Sequence, residues 1–128
     1  MAGTLTISTL SDGSVSTSTT NCIQGSAKAW VNFNGTTSPG TIRASYNVSS
    51  VTKSATGTYA VNFTIAFSDA NYVAVACGAK INSSNDGNNS VAIGSSTVIP
   101  TTTSCPVTNY TQSVGTSDNA YMHFAAFR

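Results

Sequence analysis

Few side chains in this sequence are suited to acid, base or nucleophilic chemistry. The chain contains one histidine, His123, four aspartates, no glutamate and three cysteines. Glycoside cleavage needs two carboxylates side by side, but Asp69, Asp86 and Asp118 each stand in a turn-forming context, where aspartate bonds to nearby backbone. A serine or cysteine nucleophile would have to use His123, which lies in an alternating strand pattern. We therefore expect no catalytic residues and no enzymatic activity.

The patterns of metal and cofactor sites are also missing. Cys22, Cys77 and Cys105 show no Cys-x-x-Cys spacing, and only His123 could join them in binding zinc. Residues 85–88 offer one carboxylate where calcium loops have several. No glycine-rich loop opens a helix, as nucleotide sites require. We therefore expect no metal and no cofactor. Cys77 lies in an apolar strand, and we place it in the core. Whether Cys22 and Cys105 form a disulfide stays open.

Composition excludes two classes of partner and favours self-association. Charged residues make up 7% of the 128-residue chain, and the net charge is +1. This charge is too small to indicate a nucleic-acid-binding surface, and it offers no polybasic patch that would bind anionic membrane lipid. No segment approaches the roughly 20 apolar residues of a membrane span, and residues 1–8 lack a secretory pattern. Either hydroxyl and amide groups alone keep the surface soluble, or much of that surface lies against other subunits; we favour the second.

The elements that must position these side chains are predicted to be strands. Apolar residues alternate with a period of two from Ala27 onward. The predicted strands are residues 27–33, 42–48, 58–67, 72–79, 91–99, 107–114 and 119–127, with a further short strand near Ile7. Residues 72–79 are apolar on both faces, which is typical of a central strand, whereas residues 107–114 suit an edge. About eight short strands and no helix predict an all-β antiparallel β-sandwich or jelly-roll-like fold.

The chain divides into two parts. Residues 1–26 are low in complexity and too poor in apolar residues to fold alone, so we expect an N-terminal arm that packs on a neighbour. Residues 27–128 form the β-sandwich domain. Trp30 falls on the polar side of its strand, where it either covers a local apolar patch or anchors an interface. Tyr121 and His123 share one face of the last strand, and we take Trp30, Tyr121 and His123 together as candidate interface residues.

Two stretches within residues 27–80 carry a family resemblance. They are residues 29–35, AWVNFNG, and the series 42–48, 57–63 and 69–73, IRASYNV, GTYAVNF and DANYV. They resemble a module of tailed-bacteriophage virion proteins, often found at the C-terminal ends of tail fibres. The resemblance implies a β-sandwich that works as a homotrimer and carries no catalytic residues. Only about 26 residues precede the module here, which favours a small stand-alone component over a tip on a long shaft.

The sequence therefore predicts a non-enzymatic bacteriophage structural protein on the particle surface, either a capsid decoration protein or a tail or fibre accessory component. The alternative is a receptor- or carbohydrate-binding tail-fibre tip, to which the polar loop at residues 82–90 would contribute. Expected partners are other copies in a homotrimer, other virion proteins and, for the alternative, a host surface glycan, but not nucleic acid or membrane. The expected location is the virion, after synthesis in the host cytoplasm. Placement on the head or on the tail stays open.

Overall fold

The computed structural model describes residues 3–79, 89–94, 97–111 and 115–128. In these residues it has eleven strands and one helix: β1 (Thr9–Ser11), β2 (Ser16–Ser18), α1 (Thr19–Gly25), β3 (Ala27–Asn34), β4 (Thr41–Tyr46), β5 (Val48–Ala55), β6 (Thr58–Phe63), β7 (Val73–Ala79), β8 (Asn89–Ile93), β9 (Ser104–Thr111), β10 (Gly115–Thr116) and β11 (Tyr121–Phe127). Three of the strands, β1, β2 and β10, have only two or three residues. Such strands are too short to show in an apolar alternation. The strand β5 is also missed from the sequence, because only Val48 and Val51 of its eight residues are buried and no alternation marks it.

Two antiparallel sheets form the body of the molecule. One has the strand order β4-β3-β11-β7, and the other has the order β10-β9-β6-β5, with β8 also paired to β9. The strands β1 and β2 form a separate hairpin. The predicted all-β, sandwich-like fold is confirmed.

The core lies between the two sheets and is built from one face of each strand. In β3, β6 and β11 the buried side chains alternate with more exposed ones, as the period of two predicts. The buried apolar side chains are Ala29, Val31, Phe33, Val48, Val51, Tyr59, Val61, Phe63, Phe67, Cys105, Val107, Met122, Phe124 and Ala126.

The predicted strand at residues 42–48 covers β4 from Ile42 to Tyr46 and runs on to Val48, the first residue of β5. A bulge at Arg43 shifts the register, so that Ile42 pairs with Phe33 and packs against the core. An extra residue of this kind reverses which face the following side chains occupy. Asn47 then adopts a φ of 54°, a left-handed conformation that asparagine tolerates, and the chain crosses to the other sheet.

The predicted strand at residues 58–67 ends earlier than expected. β6 stops at Phe63, and Ile65 is 72% exposed. The cause is a pair of bonds to the Asn47 amide, whose Oδ1 accepts from the Ile65 N–H at 2.7 Å and whose Nδ2 donates to the Ile65 carbonyl at 3.1 Å. These bonds occupy the backbone groups that a continued ladder would need.

Two predictions about strand position are wrong. β7 is an edge strand, with β11 as its partner in the sheet, so one of its two apolar faces points away from the core. β9, predicted as an edge, lies inside its sheet, because Thr108 pairs with both Thr58 and Ala92. The Pro106 carbonyl accepts from the Gly94 N–H beyond the end of β8.

Two further corrections concern the helix and the cysteines. The chain is not free of helix, since α1 forms with Ser18 as its N-cap, whose side chain accepts from the Asn21 N–H. Cys77 is exposed on β7 rather than buried in the core, and Cys105 is buried in β9. Cys22, Cys77 and Cys105 are all free thiols.

Candidate functional site

The three candidate interface residues share one surface of the four-stranded sheet. Trp30 lies between buried neighbours on β3, and Tyr121 and His123 are the exposed residues of β11. Register brings them together, because β3 and β11 pair directly and His123 stands opposite Asn32. We call this surface, which points away from the core, the outer face. Its members are Lys28, Trp30, Asn32, Arg43, Ala44, Tyr46, Val73, Val75, Cys77, Tyr121, His123, Ala125 and Phe127.

An apolar row crosses the whole outer face. Tyr46, Trp30, Ala125 and Val75 stand opposite one another on the four successive strands. Tyr46 is 58% exposed and Val75 53%. Adjacent strands lie about 4.8 Å apart, so the row is roughly 15 Å long. This row is the part of the outer face that an interaction partner would cover.

A second row, beside the first, is small and polar. It contains Ala44, Asn32, His123 and Cys77. A shallow hollow of about 200 Å3 lies on the β11–β7 side of the face, lined in part by His123 and Val75. Among the residues that the structure describes, no three His, Cys, Asp or Glu side chains are grouped so as to hold a metal ion.

Arg43 holds the Tyr121 ring in place on the outer face. Its guanidinium lies 4.5 Å from the centre of the Tyr121 ring, a cation–π contact. The same group donates to the Asn32 Oδ1 at 3.2 Å and to the Ala120 carbonyl at 2.8 Å. Sequence reasoning missed Arg43 as a member of this surface, because the bulge that turns it outward leaves no periodic signal.

A cleft of about 520 Å3 opens at the end of the outer face where β3 begins. Tyr46 and Lys28 belong to both the face and the cleft, and Ile65 and Arg128 complete its rim. Asn47 holds the walls together, because its Nδ2 also donates to the Lys28 carbonyl at 3.1 Å. The cleft offers an exposed aromatic ring beside two cationic groups.

Each of the three aspartates that the structure describes has its own backbone or cationic partners. Asp12 accepts the N–H groups of Ser14 and Val15, and Asp69 accepts that of Asn71 and pairs with Arg128. These contacts hold the pKa of both carboxyl groups below its usual value. Asp86, the residues 85–88 and most of the polar loop at 82–90 lie outside the described residues.

Asp118 belongs to a network that joins the segment between β10 and β11 to the strands β5 and β6. Its Oδ2 lies 2.6 Å from the Lys53 Nζ, and its Oδ1 accepts from the Gly57 N–H and the Tyr59 hydroxyl, each at 2.8 Å. Burial acts to raise the pKa of Asp118, but these donors outweigh it and the pKa is lowered. Burial, reinforced by the carboxylate, raises the pKa of Tyr59. The sequence predicts only a turn here and gives no sign of the ion pair.

This network predicts a loss of stability in acid. We expect Asp118→Asn to lower the free energy of unfolding at pH 7 by about 1.5–3 kcal/mol, the usual contribution of a bond to a charged group. Because the folded-state pKa of Asp118 is below its usual value of 3.8, this contribution is present above pH 3.8 and is lost as the pH falls through the lowered value. Urea unfolding of the wild type and of Asp118→Asn, repeated from pH 7 to pH 2, measures this contribution. A difference in the free energy of unfolding between the two proteins that stays constant over this range would contradict the prediction.

The chain was compared with protein families, curated proteins and solved structures, and no family model, curated protein or solved structure matches it. In the described part of the chain, no helix has the length and apolar character needed to cross a membrane.

Proposed function

We propose that this chain is a non-enzymatic structural protein on the surface of a tailed-bacteriophage particle, a capsid decoration or a tail or fibre accessory component. In this proposal it acts as a homotrimer whose copies meet through the outer face. The observation that carries the proposal is the apolar row of that face. It combines two aromatic side chains, Trp30 and Tyr46, with Val75, an exposed residue of the edge strand β7.

The sparse charge of the outer face supports self-association. The four strands that form it contain only two permanently charged residues, Lys28 and Arg43. The strand β7 has the sequence of a strand buried on both faces, but Val73 and Val75 are exposed. A second copy that covers the outer face would bury these side chains. Each Å2 of apolar surface removed from water stabilises such a contact by about 25 cal/mol.

The positions of the titratable groups support a role without catalysis. Asp12 and Asp69 serve as local turn caps and Asp118 as an internal ion-pair partner. His123 lies on the open outer face beside Asn32 and Cys77. The assignment to a phage particle draws support from the resemblance of residues 27–80, the region from which β3 to β7 are formed.

Substitution of Trp30 tests the proposed interface. We expect Trp30→Ala to weaken self-association about 30-fold, since an aromatic anchor contributes about 2 kcal/mol or more to an interface. The fold should persist, because the side chain is 40% exposed. Tyr110→Ala is the matched control, an exposed aromatic on the other sheet that should leave association unchanged. Sedimentation equilibrium of both variants measures the effect.

Two results would overturn the proposal. One is a wild-type chain that stays monomeric at micromolar concentration in light scattering. The other is its absence from purified particles of the phage that encodes it. Where the chain is present, its copy number distinguishes the two placements, since hundreds of copies indicate the capsid lattice and a dozen or fewer indicate the tail.

Receptor or carbohydrate binding is the second candidate, and the cleft favours it. Sugars stack on exposed aromatic rings, and Tyr46 stands beside Lys28 and Arg128 at the rim. Binding of a host surface polysaccharide that Tyr46→Ala abolishes while Trp30→Ala leaves it intact would favour this function over the first.

A further inference from the structure

The N-terminal arm, residues 3–26 of the described chain, presents apolar side chains with nothing to cover them. No residue of the arm is buried. Its exposed large apolar side chains are Leu5, Ile7, Leu10, Val15 and Ile23. The arm nevertheless has a defined shape, a hairpin of two three-residue strands followed by the seven-residue helix α1.

Such elements are not stable on their own. A lone two-stranded hairpin is at best marginal in water, and a lone helix needs about 12–15 residues or more. Lys28 of β3 donates to the Ile23 carbonyl and to the Ser26 hydroxyl, which ties the end of the helix to the sandwich. This contact orients the arm but covers none of its apolar side chains, so the arm requires another surface.

The arm has a hollow of about 420 Å3 on its apolar side. Leu5, Ile7, Cys22 and Ile23 line it together with two threonines. Its volume lies in the range of pockets that take small organic molecules, enough for one aromatic side chain. The outer face supplies such side chains in Trp30 and Tyr46.

Charge also matches the arm to the outer face. Asp12 is the one charged side chain in residues 3–26, whereas the strands of the outer face carry only cations, Lys28 and Arg43. Two outer faces placed together would oppose cation to cation. An arm placed on an outer face opposes an anion to a cation, which favours the second arrangement.

We propose that the arm of each copy packs on the outer face of the next copy, with the arm hollow over the Trp30 ring. This inference rests on the proposed function, since it names the partner of the same surface. Arm and face are different surfaces, so the contact is heterologous, and a heterologous contact closes a ring when the rotation between copies permits. A ring of three such contacts buries every arm and every outer face.

The native cysteines provide the test. Cys22 lines the arm hollow and Cys77 lies on the outer face. Cys77 lies on the second strand from Trp30, two residues beyond Val75, which stands in line with Trp30. Strand spacing and rise per residue put the two positions about 12 Å apart. Cys105 is fully buried, and burial raises the pKa of its thiol, so it should not react. A bis-maleimide of that reach should link Cys22 of one copy to Cys77 of the next and give covalent trimers of the wild-type chain.

Co-expression of Cys22→Ser and Cys77→Ser, each with a different mass tag, separates the possible contacts. We expect linked pairs that contain one chain of each variant and no larger species, because neither chain can link to two neighbours. The double variant should give no product, which controls for Cys105. Linkage only within a single chain, or only between two Cys77 thiols, would overturn the arm-to-face contact.

Light scattering of the same samples separates this proposal from the proposed function. Oligomers that form without Cys22–Cys77 linkage between copies would refute the arm-to-face contact and leave the structural role standing. A monomer at every concentration would refute both.

Discussion

Replacing Phe63 with alanine is expected to lower the free energy of unfolding by about 3–5 kcal/mol, the usual loss for a large buried aromatic. The Phe63 ring is 7% exposed and lies 4.8 Å from the Phe67 ring, 5.7 Å from that of Tyr72 and 6.3 Å from that of Phe124, centre to centre. Its removal leaves a cavity between the sheets that these rings cannot fill without leaving their own contacts.

The matched control is Ile65→Ala, two residues further along the same apolar alternation. Because Ile65 is 72% exposed, its loss should change the free energy of unfolding by no more than about 0.5 kcal/mol. Urea unfolding followed by circular dichroism measures both variants. Equal losses would mean that β6 continues past Phe63 and that the Asn47 bonds do not end it.

Gly57→Ala is expected to have an effect of similar size for a different reason. Gly57 has a φ of +67°, and an added Cβ would lie 2.6 Å from the Ser117 backbone nitrogen and 2.7 Å from the Asn109 carbonyl oxygen. The conformation costs an alanine about 1–2 kcal/mol, and forcing the neighbouring backbone apart costs about 1–3 kcal/mol more. The Gly57 N–H also donates to Asp118, so the ion-pair network should be disturbed as well.

Gly115→Ala isolates the conformational part of this effect. Gly115 has a φ of +80°, but no atom of the described residues lies within 4 Å of the position its Cβ would take. We expect this variant to lose only about 1–2 kcal/mol. Thermal unfolding of both variants gives the comparison, and a loss for Gly57→Ala no greater than that for Gly115→Ala would show that the neighbouring backbone yields at little cost.

The fold class could be predicted from sequence because the apolar period is strong where one face of a strand is buried. β3, β6 and β11 follow it closely. The prediction failed where local geometry broke the period, at the bulge of Arg43 and at the left-handed Asn47, since neither leaves a mark in the alternation. It also failed for β7, whose outward valines resemble those of a strand buried on both faces.

The candidate surface could be predicted only in part. Trp30 stands out because a large apolar ring on the polar side of a strand is unusual, and Tyr121 and His123 stand out because they share one face of the last strand. That they share one face depends on the pairing of β3 with β11, two segments about 90 residues apart in the chain, and no local pattern determines such a pairing. Tyr46 was predicted as part of an apolar strand face rather than as an exposed side chain. The interface role of all four stays a prediction.

The position of β11 has a consequence for how the chain acquires its fold. β11 lies between β3 and β7 and pairs with both along its length, yet the ribosome makes it after both of them. Until Phe127 has been synthesised, β3 and β7 each have an open edge, which is a template for wrong pairing. Contacts of such long sequence separation also slow folding. The four-stranded sheet must therefore close late, and its outer face exists as a surface only after that step.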